Sequence, residues 1–211
     1  MNLADYKVVV ISLRNSKRRD NLKERLAEGG ITDYEVVDAR EVLDINQSTI
    51  EALTYSEWKT DPRLKNETKN NARMACYLSH ISLVLAKYDE PIIVLEDDIV
   101  FKKPIESIGV IPEDCAIGFL DGTKIEKFNG YDFCQEWSCG WCPIDTENFR
   151  VWCLGCYICP DPQKVYNTLI SCEPRVVDKL FIDCFQRDRK SYVYLPIICK
   201  QDRRNFKSTI A

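Results

Sequence analysis

Short apolar runs alternate along this chain with longer stretches in which apolar positions recur every three or four residues. The runs KVVVISL (7–13), YEVVDA (34–39), PIIVL (91–95), CAIGFL (115–120), VWCLGCYIC (151–159) and YVYLPII (192–198) predict strands. A helix is expected over 16–28, where Leu22 and Leu26 stand four apart and Gly29-Gly30 supplies the stop. A second is expected over 72–88. There Met74, Tyr77, Leu78, Ile81, Leu85 and Tyr88 form one apolar stripe, and Arg73, Cys76 and His80 lie on a neighbouring face. Asp161-Pro162 reads as an N-cap followed by an N1 proline, opening a helix to about 171, and 177–187 predicts another. Ser48-Thr49-Ile50-Glu51 has the form of a capping box. The polar stretch 60–71 predicts a loop, and 123–150 predicts irregular structure. Strands alternating with helices imply an α/β fold around a largely parallel sheet.

Composition narrows the classes. With 211 residues, 45% hydrophobic and 29% charged, the chain can bury the core of one domain and is too apolar for wholesale disorder. No apolar run approaches the ~18 residues of a membrane span. The N-terminal MNLADYKVVVISL lacks a cleavage site, so a cytoplasmic location is expected. A net charge of −4 argues against nucleic acid as a partner. Eleven cysteines cannot all pair with one another, and without a secretory signal reduced thiols are expected. One histidine, His80, excludes any metal site built on several histidines and leaves carboxylates or thiolates as ligands.

The strongest chemical signal is Glu96-Asp97-Asp98, directly after the apolar run 91–95. Adjacent carboxylates repel and raise one another's pKa unless a cation neutralises them. At the carboxyl end of a strand in an open α/β sheet they would line the ligand crevice. Oxygen ligands suit Mg²⁺ or Mn²⁺, which can hold a diphosphate; the competing reading is a solvated acidic turn.

Four segments together resemble glycosyltransferase family 25, and they come in that family's order. VVVISLRNSKRRDNLKERL, with Asp38-Ala39 after it, is similar to the family's strand–Leu–Ser-x-x-Arg-Arg–helix segment. ARMACYLSH matches its Cys-x-Leu-Ser-His through Cys76, Leu78, Ser79 and His80. IIVLEDDIVF matches its Leu-Glu-Asp-Asp signature. Gly155-Cys156-Tyr157-Ile158, Asp178 and the run Pro196, Gln201, Ser208-Thr209-Ile210 follow its C-terminal third. Ala72, Arg73 and Ala75 depart from the Gly, Glu and Gly often found there, which puts the usual donor contacts at this helix start in question. The Cys- and Trp-rich segment 134–159 has no counterpart in that pattern.

The resemblance implies a single GT-A domain over 1–211, with a Rossmann-like nucleotide-binding half to about 100 and an acceptor-side half after it. It also implies metal-dependent transfer of a hexose, galactose or glucose, from a UDP-sugar to a hydroxyl of a glycan or glycoprotein, with inversion. Asp98 and Glu96 are the expected metal ligands, since alternate residues of a strand share a face; Asp97 would then point elsewhere, to ribose or a backbone amide. Ser12 and Leu13 end the first strand where uridine would sit, and Asp38 with Ala39 ends the second. Arg18 and Arg19 either contact phosphate or are solvated helix charges. Arg73, Ser79 and His80 are expected at the donor site, and Gln201 and Ser208 would close over the diphosphate. Asp121 and Asp178 are the candidate bases for the acceptor hydroxyl.

Two other classes compete. One is a catalytically inactive relative that binds nucleotide or glycan. The other is an interaction domain stapled by zinc through Cys139-x₂-Cys142 and Cys153-x₂-Cys156.

Overall fold

The computed structural model describes residues 5–45, 67–128, 140–188 and 190–202. Its centre is a seven-stranded sheet, built from β1 (Lys7–Ser12), β2 (Glu35–Asp38), β3 (Ile92–Glu96), β5 (Ile117–Phe119), β7 (Gly140–Pro143), β9 (Cys156–Cys159) and β10 (Ser191–Leu195), in the order β2-β1-β3-β9-β5-β10-β7. Strands β1, β2, β3, β5 and β10 share one direction, and β9 and β7 run against them. The sheet is thus mixed and mainly parallel, and the fold is α/β and Rossmann-like. Two small ribbons pair β4 (Ile99–Phe101) with β11 (Cys199–Gln201) and β6 (Ile125–Lys127) with β8 (Phe149–Val151).

The pleat sorts the apolar runs onto two faces. Val9, Ile11, Ile92 and Val94 face one core, and Val10, Ile93 and Leu95 face the other. Burying each such side chain contributes about 1.5–3 kcal/mol, which is why the runs carry no polar residue until the strands end. Helix α1 (Leu22–Glu28) covers the second face through Leu22 and Leu26. Helix α2 (Glu67–Leu78), α3 (Pro162–Ile170) and α4 (Val177–Phe181) cover the first.

Several predicted elements form with altered ends. The helix expected over 16–28 is interrupted. Ser16 Oγ accepts from the Arg18 amide and caps one 3₁₀ turn (Lys17–Arg19), and the α-helix restarts at Leu22. The Asp20-Asn21 pair between them favours turns over helix interior. Gly30, at φ +76°, closes α1 in a Schellman arrangement: the Gly30 and Ile31 amides donate to the Ala27 and Leu26 carbonyls, both at 2.9 Å. The expected helix 72–88 starts earlier, at Glu67, inside the segment expected to be a loop. From Ser79 to Leu85 it widens into a π-helix, closed by the Ala86 amide on the Ile81 carbonyl at 2.9 Å. The helix expected over 177–187 is likewise α only to Phe181, then π over Ile182–Gln186. The single strand expected over 151–159 is two, β8 and β9, with Trp152–Leu154 looping between them. The stretch 123–150 contains β6, β7 and most of β8. Asp161 caps α3 as expected, accepting from the Lys164 amide at 2.9 Å. The Ser48 capping box and Ser208 lie outside the described residues.

The four-cysteine zinc site does not form. Cys142 sits in β7 and Cys156 in β9, three strands apart and hence about 14 Å across the sheet. Cys139 lies outside the described residues. Among the described residues no two cysteines are joined by a disulfide. Among the described residues no helix is long and apolar enough to cross a membrane.

Candidate active site

The chain passes from β1 through α1 to β2 on one side, then through α2 to β3 on the other side of β1. The carboxyl ends of β1 and β3 therefore flank the point where strand order reverses, the usual ligand crevice of such sheets. A cavity of about 440 Å³ opens there. Its floor is the end of β1 (Ile11, Ser12, Leu13) and the triplet Glu96-Asp97-Asp98. One wall is the helix face carrying Ala72, Ala75, Cys76, Ser79 and His80. The others come from Arg18, from residues 39–41 after β2, from the Trp152–Leu154 loop, from Asp178 in the first turn of α4, and from Gln201 on β11.

The triplet divides between the two faces of the sheet. Glu96 closes β3 on the side of α2. Its Oε1 lies 3.4 Å from His80 Nε2, and Gln201 Nε2 donates to its Oε2 at 2.5 Å. Asp97 turns to the α1 side, where Ser12 Oγ donates to its Oδ2 at 2.6 Å and Arg18 Nη1 to its Oδ1 at 3.1 Å. The alternation expected to put Asp98 beside Glu96 stops with the strand. Asp98 lies in the turn after it and shares Arg18 with Asp97, at 3.4 Å from Asp98 Oδ2. Glu96 and Asp98 both line the cavity nevertheless.

The electrostatics follow from this crowding. Asp98 is 5% exposed, and its Oδ1 is buried without a hydrogen-bond partner. Burial first, then the Glu96 charge, push its pKa up to about 7; Arg18 opposes the rise, and Asp97 and Asp121 add to it. Burial also pushes Glu96 upward, but the His80 hydrogen bond and charge, with Gln201 and Arg18, outweigh it and hold Glu96 below the usual carboxylate range. A buried carboxylate oxygen with no donor, between other acidic groups, is the environment that a hard cation relieves.

His80, 1% exposed, is fixed at both ring nitrogens, with Nδ1 3.2 Å from the Tyr157 hydroxyl. Ser79 Oγ donates to the Ala75 carbonyl at 2.7 Å and accepts from the Arg40 amide at 2.9 Å, so it anchors the loop after β2. Two residues expected at the donor, Arg19 and Asp38, do not line the cavity. Arg19 donates to Ser12 Oγ (3.0 Å), to the Ser12 carbonyl (2.7 Å) and to Asp38 Oδ1 (2.6 Å). Asp38 also accepts from Arg14 at 3.1 Å, and these arginines, Arg19 first, hold its carboxyl below its ordinary value. The pair ties the ends of β1 and β2 together. Arg73 is also absent from the cavity lining.

Asp121, expected as a base, is fully buried and does not line the cavity. Its Oδ1 accepts from the Thr123 amide (2.7 Å) and hydroxyl (2.5 Å), and Thr123 Oγ1 accepts from the Gln201 amide at 2.8 Å. The carboxylate thus positions Gln201, which holds Glu96. Gly155 belongs to the same assembly. A Cβ there would stand 2.5 Å from Asp121 Oδ2, and the Gly155 carbonyl accepts from the Glu96 amide at 2.8 Å.

Three contributors escape the sequence reading. Arg25 Nη2 donates to the carbonyls of Arg18 (2.5 Å) and Asp97 (2.7 Å), strapping α1 to the acidic turn. Its position seven residues after Arg18, two helical turns on, is the available signal. Tyr157, central in β9, looks like core until His80 is placed beside it. The Trp152–Leu154 loop reads as strand because its residues are apolar.

A family model described as glycosyltransferase family 25 (LPS biosynthesis protein) matches residues 5–131 of the 211. That segment contains β1, α1, β2, α2 and the acidic triplet. No curated protein matches the chain.

Proposed function

Because the chain belongs to glycosyltransferase family 25, we propose that this cavity binds a UDP-hexose with Mn²⁺ or Mg²⁺ and transfers the hexose, galactose or glucose, with inversion to a hydroxyl of a glycan or glycoprotein. The observation that carries the proposal is the partnerless buried oxygen of Asp98 beside Glu96 at the crevice end of β3. These two carboxylates would hold the cation. When bound, the cation supplies positive charge for the leaving diphosphate.

The chain's own residues do the rest. Ser12, Leu13 and Ala39, at the ends of β1 and β2, would receive the nucleoside. Arg18, 16% exposed at the side chain, would stand near the diphosphate while holding Asp97 and Asp98 in place. His80 and Gln201 fix the two oxygens of Glu96. Asp178, half-buried and lining the cavity, would take the acceptor proton as the new bond forms, since Asp121 is fully buried and does not line it.

Calorimetry with UDP, GDP and CMP, with and without Mn²⁺, tests this, followed by hydrolysis assays with UDP-hexoses. Mn²⁺-dependent UDP binding that disappears in Asp98→Ala is expected. Binding of UDP that ignores Mn²⁺, or no turnover of any UDP-hexose, would sink the proposal; the second result alone would favour an inactive nucleotide-binding relative.

A further inference from the structure

Beside the two carboxylates lies a second, chemically different set of donors. Cys76 and His80 stand four residues apart, at the point where α2 widens into the π-helix, and Glu96 faces them from the end of β3. The thiol sulfur, an imidazole nitrogen and a carboxylate oxygen all lie within 4.8 Å of one another. We propose that Cys76, His80 and Glu96 form a binding site for a borderline divalent cation of the zinc class, with its open coordination position facing the cavity. The inference stands without the hexose-transfer proposal, although the two sites share Glu96.

The geometry suits such an ion. Metal–ligand bonds of about 2.0–2.3 Å arranged tetrahedrally give ligand–ligand edges of about 3.3–3.6 Å. The His80 Nε2 to Glu96 Oε1 distance is 3.4 Å, already one such edge. The Cys76 sulfur, within 4.8 Å of both, completes the set. His80 is also oriented as metal-ligating histidines are. Its second nitrogen, Nδ1, meets the Tyr157 hydroxyl at 3.2 Å, an outer partner that can accept the ring proton's hydrogen bond once that proton moves to Nδ1, so that Nε2, which donates to Glu96 in the metal-free chain, would present its lone pair to the ion. On Glu96, Gln201 occupies Oε2 and leaves Oε1 on the histidine side.

The chemistry of the donors selects the ion. A thiolate and a carboxylate together neutralise a divalent charge. The thiolate and imidazole favour Zn²⁺ or Co²⁺ over Mg²⁺ and Mn²⁺, which prefer all-oxygen ligands. As the sulfur–metal bond forms, the thiol proton passes to solvent. Three protein ligands with a fourth position open to a cavity is the arrangement of zinc sites that take an exchangeable ligand. All three residues line the cavity, so that ligand would be water or an oxygen of the molecule bound there.

The test uses the full reduced chain, stripped with a chelator, free of nucleotide, and titrated with Co²⁺. A sulfur-to-cobalt charge-transfer absorption that saturates at one equivalent and is displaced by Zn²⁺ is expected. It should vanish in Cys76→Ser, with Cys76→Ala as the second variant where the serine hydroxyl unsettles the packing. Tyr157→Phe, which removes only the outer hydroxyl, should weaken Co²⁺ binding by about 10-fold or more. Absence of the absorption in the wild-type chain overturns the proposal. So does an equal absorption in a folded Cys76 variant, which would assign it to another thiol, or unaltered affinity in Tyr157→Phe. Asp98→Ala separates the two proposals: it should keep the cobalt absorption while losing Mn²⁺-dependent UDP binding.

Discussion

Replacing Asp98 by Asn should make the metal-free protein more stable, and the size of the gain should depend on pH. The Asp98 carboxyl is 7% exposed at the side chain and surrounded by Glu96, Asp97 and Asp121. Its pKa moves from an ordinary 3.8 to about 7 in the fold. A carboxyl whose folded pKa is raised opposes folding once it ionises. The penalty is absent below about 4, grows as pH rises toward 7, and is complete above that. At about 1.4 kcal/mol per tenfold change in proton affinity, the interval corresponds to roughly 4 kcal/mol. Asparagine keeps the shape and removes the charge. Urea unfolding of wild type and Asp98→Asn in chelator at pH 4, 6 and 8 checks this. The two should be close at pH 4, and the variant more stable by a few kcal/mol at pH 8. Mn²⁺ should then stabilise the wild type at pH 8 and leave the variant unaffected, because only a ligand of the native state shifts the midpoint. A variant equal to or less stable than wild type at pH 8 would refute the reasoning, for it would mean that Arg18 already compensates the buried charge.

Three further outcomes follow from single contacts. Gln186→Ala should cost about 2–5 kcal/mol in urea unfolding, since the fully buried side chain satisfies both the Val151 amide (3.1 Å) and carbonyl (2.7 Å), each worth about 1–3 kcal/mol when left unpaired in the interior. A loss below 1 kcal/mol would mean that water replaces the amide there. Gly155→Ala, with its new Cβ 2.5 Å from Asp121 Oδ2, should lower stability by about 1–3 kcal/mol and weaken Mn²⁺-dependent UDP binding in calorimetry, because Asp121 positions Thr123 and Gln201. Glu35→Gln should change stability by less than about 1 kcal/mol at neutral pH, despite ion pairs to Lys87 and Lys7 (2.9 Å to the latter) that pull Glu35 down to about 2. Those side chains are 35–50% exposed, so solvent screens them. What little they contribute is present above about pH 4.5 and fades as pH falls toward 2, which an acid titration of both proteins would show.

The central strands and the acidic triplet were readable from local pattern alone. A strand buried on both faces must be apolar throughout, so 7–13 and 91–95 announce themselves, and three carboxylates at the end of such a run are anomalous in any fold. The helix ends were less legible. Gly29-Gly30 signals its own stop because a glycine takes up a positive φ without steric cost, as Gly30 does here. The break at Asp20-Asn21 and the π-helical turns at Ser79 and Ile182 depend on what the neighbouring elements require. At Ser79 the widened turn accompanies a buried histidine between Glu96 and Tyr157, partners 16 and 77 positions away.

By itself the sequence determined the α/β alternation, the two-faced apolar strands, the family, and the carboxylates at the end of the third strand. These rest on periodicity and on residues adjacent in the chain. Only the tertiary structure decided how those carboxylates are shared: Glu96 to His80 and Gln201, Asp97 to Ser12 and Arg18, and Asp98 left with a partnerless oxygen. It also took Asp121 out of the cavity, turned Arg19 and Asp38 into a clasp between strands, separated Cys142 from Cys156, and brought Cys76 to His80 and Glu96. The physical reason is the same in each case. Burial and partner choice depend on which strands are neighbours in the sheet, and that order, β2-β1-β3-β9-β5-β10-β7, is not the order of the chain.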